Sequence, residues 1–234
     1  VRILRKAFDA GINFFDTARS YQGGNNERMV GSVLKSRRKD IFLETKTLAT
    51  TRDAALRDLD TSLRELETDY VDIRLLHNRN APADLPDEML EAQRIARQAG
   101  KIRFAGLSTH YLKDIVDHLV ELGQIDVVLA TYNFSMGPEN NIEESIRKAR
   151  QAGMGVIAMK VMAGGYSRIQ RGDRFFGAEP KTLTARLKRP GAMCAALKWA
   201  LRNQNVDTAI VGVTDMDQLD ENFMAMSTPF SDAD

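Results

Sequence analysis

Short apolar runs alternate along the chain with longer amphipathic segments. The short runs have the length and composition of strands buried in a parallel sheet. Seven of them occur, at residues 13–17, 41–46, 71–76, 103–108, 126–131, 156–160 and 208–211. The amphipathic segments predict eight helices, at residues 1–10, 26–35, 53–67, 86–99, 112–122, 139–151, 190–202 and 216–226. The chain is therefore expected to be built from repeated strand–helix units.

Two architectures fit such a repeat: an open doubly wound sheet and a (β/α)8 barrel. The doubly wound alternative calls for a G-x-G-x-x-G motif directly after a strand. The nearest candidate, Gly153 with Gly155, precedes a strand and lacks the third glycine. We therefore favour a (β/α)8 TIM barrel that occupies residues 1–234 as a single domain. Because only seven strand candidates are present, we expect the first barrel strand to lie upstream of Val1.

Composition and charge exclude several classes of protein. The chain of 234 residues contains one cysteine, Cys194, which rules out a disulfide framework and a cysteine-rich metal cluster within it. Its net charge of +1 provides no general attraction to nucleic acid or to a membrane surface. No apolar run approaches the roughly 20 residues of a membrane helix. We expect a cytoplasmic protein without metal, nucleic-acid or membrane partners. An export signal upstream of Val1 and the oligomeric state are left open.

The polar residues at the predicted strand ends form a chemically coherent set. Functional side chains of a βα barrel lie at the carboxyl ends of its strands. Asp16, Lys46 and His77 occupy three successive strand ends, and Tyr21 follows Asp16 by five positions. An ammonium near a tyrosine makes the phenol a better proton donor, an aspartate can hold that ammonium, and a histidine can orient a carbonyl. The four residues therefore suit protonation of a carbonyl oxygen while hydride adds to the carbon.

Each of these residues also has an ordinary structural explanation when taken alone. An aspartate before a threonine is often a turn or cap residue, a lysine after a strand is usually a solvated charge, and a lone histidine is often structural. Two other hypotheses therefore stay open beside a carbonyl reductase. One is a non-catalytic barrel that acts as a regulatory or binding subunit. The other is a different barrel enzyme, such as a hydrolase or an aldolase, for which a Schiff base on Lys46 is chemically conceivable.

Five segments follow one another through most of the chain: GINFFDTARSY, LETKT, DIRLLHN, GLSTH and IVGVTDMDQLDENFMA. In this order they resemble motifs of the aldo-keto reductases, and the first and last are the most specific. The resemblance implies a (β/α)8 barrel that reduces an aldehyde or ketone with NADPH or NADH. It also implies a catalytic tetrad of Asp16, Tyr21, Lys46 and His77, with Tyr21 as the general acid. The stretches MKVMAGGY and LKWALRNQNVDTAIVG are similar to a bacterial branch that often carries a C-terminal iron–sulfur segment, and none occurs before Asp234.

The same resemblance implies the residues that bind NADP(H) or NAD(H). Ser108 and Asn133 are similar to the side chains that hold the nicotinamide carboxamide, and Met159 and Lys160 lie where the family packs a residue against the nicotinamide ring. The segment for the adenosine end supplies Gly212, Thr214, Gln218, Glu221 and Asn222. Asp215 stands where NADP-specific members commonly have a basic residue, which weakens the case for a 2′-phosphate pocket.

One connection is longer than a usual βα loop of about 2–6 residues. It covers residues 163–189, is rich in arginine and lysine, and contains the glycines 164, 165, 172 and 177. Its position after a predicted strand puts it at the catalytic end of a barrel. The segment is predicted to be a lid that closes over the cofactor pyrophosphate; the alternative is a disordered, solvated insertion.

Overall fold

The computed structural model describes residues 1–137, 140–163, 185 and 188–227. The strands are β1 (Phe14–Asp16), β2 (Phe42–Thr47), β3 (Val71–Leu76), β4 (Ile102–Thr109), β5 (Val127–Thr131), β6 (Gly155–Met159) and β7 (Thr208–Ala209). The main helices are α1 (Arg2–Asp9), α2 (Asn25–Leu34), α3 (Arg52–Leu66), α4 (Asp87–Gln98), α5 (Leu112–Leu122), α6 (Ile142–Gln151), α7 (Ala192–Leu201) and α8 (Met216–Ser227). Each predicted strand and helix is confirmed in the described residues, with bounds that differ by at most three residues.

The strands form one sheet in which each strand neighbours the next along the chain, in the order β1 to β7. Strands β1 to β4 pair in parallel, and β6 pairs in parallel with β7. Parallel neighbours need a crossover connection, and the amphipathic helices supply it. This arrangement brings the carboxyl ends of successive strands to the same edge of the sheet, where the polar residues of the sequence prediction lie.

Capping residues mark the ends of several helices. Thr51 accepts a hydrogen bond from the Ala54 amide and caps the start of α3. Gly100 and Gly153, which follow α4 and α6, have φ angles of 70° and 84°. That left-handed conformation is accessible to glycine at little cost and ends a helix before the next strand. Leu59, Leu63 and Leu66 share one face of α3 and pack inward, with Leu59 and Leu66 each only 1% exposed.

The chain divides into two compact units. The first unit comprises Val1–His110 and His118–Val128, and the second comprises Tyr111–Asp117 and Leu129–Asp234. The first unit contains β1 to β4, and the second contains β6, β7, α6, α7 and α8. The assignment of residues 1–234 to a single domain stays a prediction. None of the helices described in the structure is long and apolar enough to cross a membrane.

Helices α2 and α3 approach each other closely at Gly31. A Cβ atom at this position would lie 2.7 Å from the backbone oxygens of both Glu65 and Leu66. Real Cβ atoms do not come so near to backbone atoms, and a backbone cannot rotate away as a flexible side chain can. The absence of a side chain at Gly31 therefore lets α2 pack directly against the end of α3. Helix α2 directly follows the loop that carries Tyr21.

We expect Gly31→Ala to lower the free energy of unfolding. In a helix without this contact the change would stabilise by about 1 kcal/mol, but overpacking costs about 1–3 kcal/mol. Urea unfolding should therefore show a net loss of stability. Ser32→Ala, an exposed change on the same helix, serves as the control and should alter stability by no more than about 0.5 kcal/mol. A stabilised Gly31→Ala variant would show that the helices do not meet there.

Candidate active site

The sheet brings the predicted polar residues of the first unit together at the strand ends. Asp16 is the last residue of β1, Lys46 lies one position before the end of β2, and His77 directly follows β3. The register pairs Asp16 with Glu44 and Lys46 with Leu75. The His77 amide donates to the Thr47 carbonyl at 2.8 Å, which extends the pairing beyond the strand end.

The Lys46 ammonium is buried and fully engaged with its surroundings. The side chain is 1% exposed. Its Nζ forms an ion pair with Asp16 Oδ1 and donates to the Thr17 carbonyl at 2.9 Å. Glu44 Oε1 lies 3.5 Å from the same nitrogen. Because a buried charge is stable only when it is paired and hydrogen-bonded, these groups fix the position of the ammonium.

The loop between β1 and α2 presents Tyr21 and is anchored by buried ionic contacts. Arg19 forms an ion pair with Glu27, which is 0% exposed, and Glu27 Oε1 accepts from the Thr45 hydroxyl at 2.7 Å. Gly24 has a φ of 88°, and a Cβ there would collide with the Arg19 guanidinium. The positive φ favours a glycine at this position, and the absence of a side chain leaves room for the guanidinium. The ion pair joins the loop to α2, and the Glu27–Thr45 hydrogen bond joins α2 to β2.

Tyr21 lies between Lys46 and His77. Lys46 Nζ is 5.2 Å from the centroid of the tyrosine ring. The Tyr21 and His77 rings meet edge to face, with centroids 5.9 Å apart. Tyr21 keeps 37% of its surface exposed, so a small molecule can reach it. Asp16, Tyr21, Lys46 and His77, which the sequence predicted as one site, are neighbours in the structure.

The protonation states follow from burial and from the Lys46 charge. Burial raises the pKa of Tyr21 above its usual value, Lys46 opposes this through its charge and hydrogen bonding, and Asp16 adds to the increase. The ammonium thus acts on the phenol in the expected direction, but burial outweighs it. For Lys46, burial lowers the pKa, but its acidic neighbours, Asp16 foremost, shift the balance so that the pKa is raised. At neutral pH the lysine is charged and the tyrosine holds its proton.

His77 is neutral at physiological pH. Burial and the neighbouring Lys46 charge lower the pKa of His77 to about 4. Its Nδ1 is buried and has no hydrogen-bond partner among the described residues. A neutral imidazole carries one N–H donor, which suits it to hold a carbonyl oxygen rather than to supply the reaction proton.

The residues predicted for the nicotinamide end belong to both units. In the first unit, the buried Ser108 hydroxyl oxygen accepts from the Asn78 amide at 2.8 Å, which leaves its proton available for donation. In the second unit, Asn133 Oδ1 accepts from the amide and hydroxyl of Ser135, which leaves the Nδ2 group as the donor. Both side chains can therefore donate a hydrogen bond, as a carboxamide oxygen requires.

Met159 and Lys160 lie at the end of β6. Met159 is buried, and its carbonyl accepts from the Tyr132 amide at 3.0 Å. Lys160 is exposed and has a φ of 59°, a conformation that non-glycine residues adopt rarely. The chain therefore turns sharply directly after the strand, and Lys160 leaves the sheet there.

The segment predicted for the adenosine end forms the start of α8. The Thr214 amide donates to Gln218 Oε1 at 2.9 Å, and the Gln218 amide donates to Asp215 Oδ1 at 2.9 Å. Asp215 therefore caps the helix, and its other oxygen accepts from Gln218 Nε2 at 2.7 Å. Asn222 lies one turn further along, and its buried Oδ1 has no partner among the described residues. This acceptor fits an amino group of a nucleotide base.

Gly212 and Glu221 complete this predicted set. Gly212 is exposed, and a Cβ added there would meet no atom within 4 Å, so a ligand has room to approach the backbone. Glu221 is half-buried on α8. Residues 164–184, which form most of the predicted lid, lie outside the described residues.

Two residues of this region were missed by the sequence analysis. Glu44 is buried beside Lys46, although it belongs to the quoted motif LETKT. Arg79 follows His77 by two positions, is 7% exposed, and donates to the Ala49 carbonyl. The available signal for Glu44 was its spacing of two from Lys46, because alternate residues of a strand share a face.

The comparisons with known proteins agree with this arrangement. The family model of the aldo/keto reductase family matches residues 1–234. The chain is 28% identical over 249 residues to L-galactose dehydrogenase of Arabidopsis thaliana, covering 97% of this chain and 77% of the plant protein. It is also 28% identical over 273 residues to L-glyceraldehyde 3-phosphate reductase of Escherichia coli O157:H7, covering 96% and 78%.

The similarity extends to solved structures. The holo form of aldo-keto reductase AKR11C1 from Bacillus halodurans superposes with a TM-score of 0.83 at 27% identity, covering 98% of this chain and 82% of that chain. The thermostable aldo-keto reductase Tm1743, in complex with the inhibitor epalrestat, gives a TM-score of 0.76 at 26% identity and covers 99% and 83%. These matches confirm the (β/α)8 fold class, of which the described residues supply seven strands.

The chain belongs to the aldo/keto reductase family. It is an NAD(P)H-dependent oxidoreductase that acts on carbonyl compounds. Of the hypotheses left open by the sequence, the comparisons therefore favour the enzyme over a non-catalytic binding subunit and over a hydrolase or aldolase.

Replacing Lys46 tests the electrostatic arrangement without any need for turnover. Because the ammonium lowers the pKa of both Tyr21 and His77, Lys46→Met should raise both. The measurement is a pH titration of the cofactor-free protein, with imidazole signals followed by NMR and the phenolate by absorbance. In the unsubstituted protein His77 should titrate at about 4.

Lys35→Met is the matched control for this titration. Lys35 is an exposed lysine of the same unit that pairs with Glu67, so its loss should leave both titrations unchanged. If Lys46→Met also left the His77 titration unchanged, the ammonium would not lie next to the imidazole as described.

Proposed function

We propose that the chain reduces a small aldehyde or ketone to an alcohol, with Tyr21 as the proton donor. The observation that carries the proposal is the buried Lys46 ammonium, which is held by Asp16 and lies 5.2 Å from the Tyr21 ring. A phenol beside a fixed cation gives up its proton more readily than the same phenol in a neutral, buried site. Its exposed fraction of 37% leaves it accessible to a substrate.

Each member of the tetrad has a separate task in this mechanism. When bound, NAD(P)H supplies the hydride that adds to the carbonyl carbon. Tyr21 transfers its phenolic proton to the carbonyl oxygen, and the Lys46 charge stabilises the phenolate that remains. Neutral His77 donates a hydrogen bond that orients the carbonyl oxygen. Asp16 keeps the ammonium in place and does not itself transfer a proton.

The chain's own residues suit a nicotinamide dinucleotide. Ser108 and Asn133 each retain a donor for the carboxamide oxygen, and Met159 offers an apolar thioether to the nicotinamide ring. The start of α8 has the geometry of a helix N-terminus, which favours phosphate oxygens. Asn222 Oδ1, which has no hydrogen-bond partner in the described part of the chain, suits the adenine amino group. These residues, with Lys160, Gly212, Thr214, Gln218 and Glu221, are proposed to hold the cofactor.

The first test of the proton donor is Tyr21→Phe. The variant lacks the phenolic proton, so we expect its kcat for carbonyl reduction to fall by about 10²–10⁴-fold. Its affinity for NADPH or NADH should be nearly unchanged. The substrate panel should include L-glyceraldehyde 3-phosphate, and L-galactose in the oxidative direction, because two relatives carry those names.

Tyr70→Phe is the control for the loss of a hydroxyl group. Tyr70 lies directly before β3 with its ring under the Arg38 guanidinium, at 3.9 Å, and no part of the mechanism uses it. The control variant should retain the kcat of the unsubstituted protein. Tyr21 would be excluded as the donor if Tyr21→Phe retained that rate as well.

The preference between the two cofactors is expected to be weak. The Asp215 carboxylate repels a 2′-phosphate, so NADPH should be favoured less than in strongly NADP-specific relatives. Asp215→Asn tests this cleanly, because asparagine caps a helix as well as aspartate does and only the charge is removed. The ratio of the Kd values for NADH and NADPH should rise in the variant. A preference for NADPH of about a thousandfold or more, unaltered by the substitution, would contradict the prediction; such a ratio corresponds to roughly 4 kcal/mol.

A further inference from the structure

A second carboxyl group lies buried under the catalytic lysine. Glu44 precedes Lys46 by two positions in β2, so the two side chains share a face of the strand. Glu44 is 0% exposed. Neither of its carboxyl oxygens accepts a hydrogen bond from the described residues, although Lys46 Nζ lies 3.5 Å from Oε1. The interior of a barrel is normally filled by branched apolar side chains, so an acid here needs an explanation.

Glu44 shares its surroundings with the catalytic ion pair. It stands in register with Asp16 on β1, which places both carboxyl groups beside the Lys46 ammonium. Among the described residues, the charged and titratable groups that face this cluster are Lys46 on the same strand, Asp16 on β1, Tyr21 in the following loop and His77 after β3. His77 is neutral, and Tyr21 holds its proton. Two carboxyl groups therefore compete for one cation, and Glu44 is the more deeply buried of the two.

The carboxyl group that contacts the ammonium directly is the one that ionises. Asp16 forms the ion pair with Lys46, whereas Glu44 lies further from it. Two adjacent carboxyl groups in a buried site cannot both ionise and so retain one proton between them. Burial and the Asp16 charge raise the pKa of Glu44 well above its ordinary value, and Lys46 opposes this. A neutral Glu44 leaves the Asp16–Lys46 pair with no net charge.

We propose that Glu44 is a positioning residue that keeps its proton at neutral pH and donates a hydrogen bond to the Asp16 carboxylate. Its catalytic consequence rests on the proposed role of Tyr21 as the proton donor. An ionised Glu44 would add a negative charge next to the ammonium and raise the pKa of Tyr21. A protonated Glu44 fixes the position of the Asp16 carboxylate through a hydrogen bond. It adds no negative charge that would weaken the effect of the Lys46 ammonium on the pKa of Tyr21.

Infrared spectroscopy tests the protonation state directly and without turnover. A buried carboxylic acid has a C=O stretching band that a carboxylate lacks. We expect this band in the cofactor-free protein at pH 7, its loss in Glu44→Gln, and its disappearance from the unsubstituted protein as the pH is raised. Glu91→Gln is the control, because Arg94 lowers the pKa of that exposed carboxyl group; the band should persist in it. A protein without the band at pH 7, or a band retained in Glu44→Gln, would overturn the proposal.

Enzyme kinetics then test whether the hydrogen bond from the Glu44 proton positions Asp16 for catalysis. Glutamine can donate the same hydrogen bond, so Glu44→Gln should keep a kcat close to that of the unsubstituted enzyme at pH 7. Glu44→Leu has a similar volume but no donor and should lose about tenfold or more in kcat, the effect of one hydrogen bond to a charged group. The KM should change little in either variant. Equal losses in the two variants would overturn the positioning role.

The two readouts separate this proposal from the proposed function. If no carbonyl is reduced but the infrared band behaves as expected, the proposed function is contradicted and the protonated state of Glu44 is supported. If reduction depends on Tyr21 but the band is absent, the proposed function is supported and the proposed role of Glu44 is contradicted. The pH titration of the unsubstituted protein also keeps the proposal testable when Glu44→Leu does not fold, because that measurement needs no variant.

Discussion

The buried ammonium of Lys46 is the constraint on which the candidate active site depends. A cation that is 1% exposed is stable only beside groups that compensate its charge. The compensation comes from Asp16 at the end of β1 and from the carbonyl of Thr17. The ion pair therefore requires β1 and β2 to pair in the observed register. The loop after β1, which continues this pairing through the Arg19 amide and the Lys46 carbonyl at 3.0 Å, then delivers Tyr21 to the same cation.

In the proposed mechanism, the same charge separates the roles of Tyr21 and His77. It reduces the proton affinity of Tyr21, whose pKa burial has raised, and it helps to keep His77 neutral. Tyr21 therefore holds its phenolic proton at neutral pH, and the neutral imidazole of His77 carries a single N–H donor. Environments that drive the pKa values of neighbouring groups apart are the usual way in which a site assigns acid and orienting roles.

Much of the fold and part of the site were predictable from the sequence. Asp16, Lys46 and His77 were found because each lies at or next to the end of an apolar run, where the repeat itself defines the edge of the sheet. The position of Asp215 was predicted, but its function as a helix cap was not, although Asp215 and Gln218 have the spacing of a capping box. The roles of the cofactor residues came only from the resemblance to the family and stay predictions.

The features that were missed depend on contacts between distant positions. The pairing of Arg19 with Glu27, and of Glu27 with Thr45, joins a loop, a helix and a strand. The alternation of β2 puts Glu44 and Lys46 on one face, but it does not show that Glu44 is buried beside the predicted Asp16–Lys46 pair. Burial also depends on contacts between distant positions. The pKa of His77 is lowered mainly by burial, which arises only when the chain has folded.

A double-mutant cycle between Asp16 and Tyr21 tests the central claim most directly. If Asp16 acts only by holding the cation that serves Tyr21, the two residues form one unit, and their losses should not add. In single-turnover carbonyl reduction, the variant that combines Asp16→Asn with Tyr21→Phe should then be no slower than Tyr21→Phe alone. A combined loss equal to the product of the two separate losses would show that Asp16 and Tyr21 act independently, and would contradict the account.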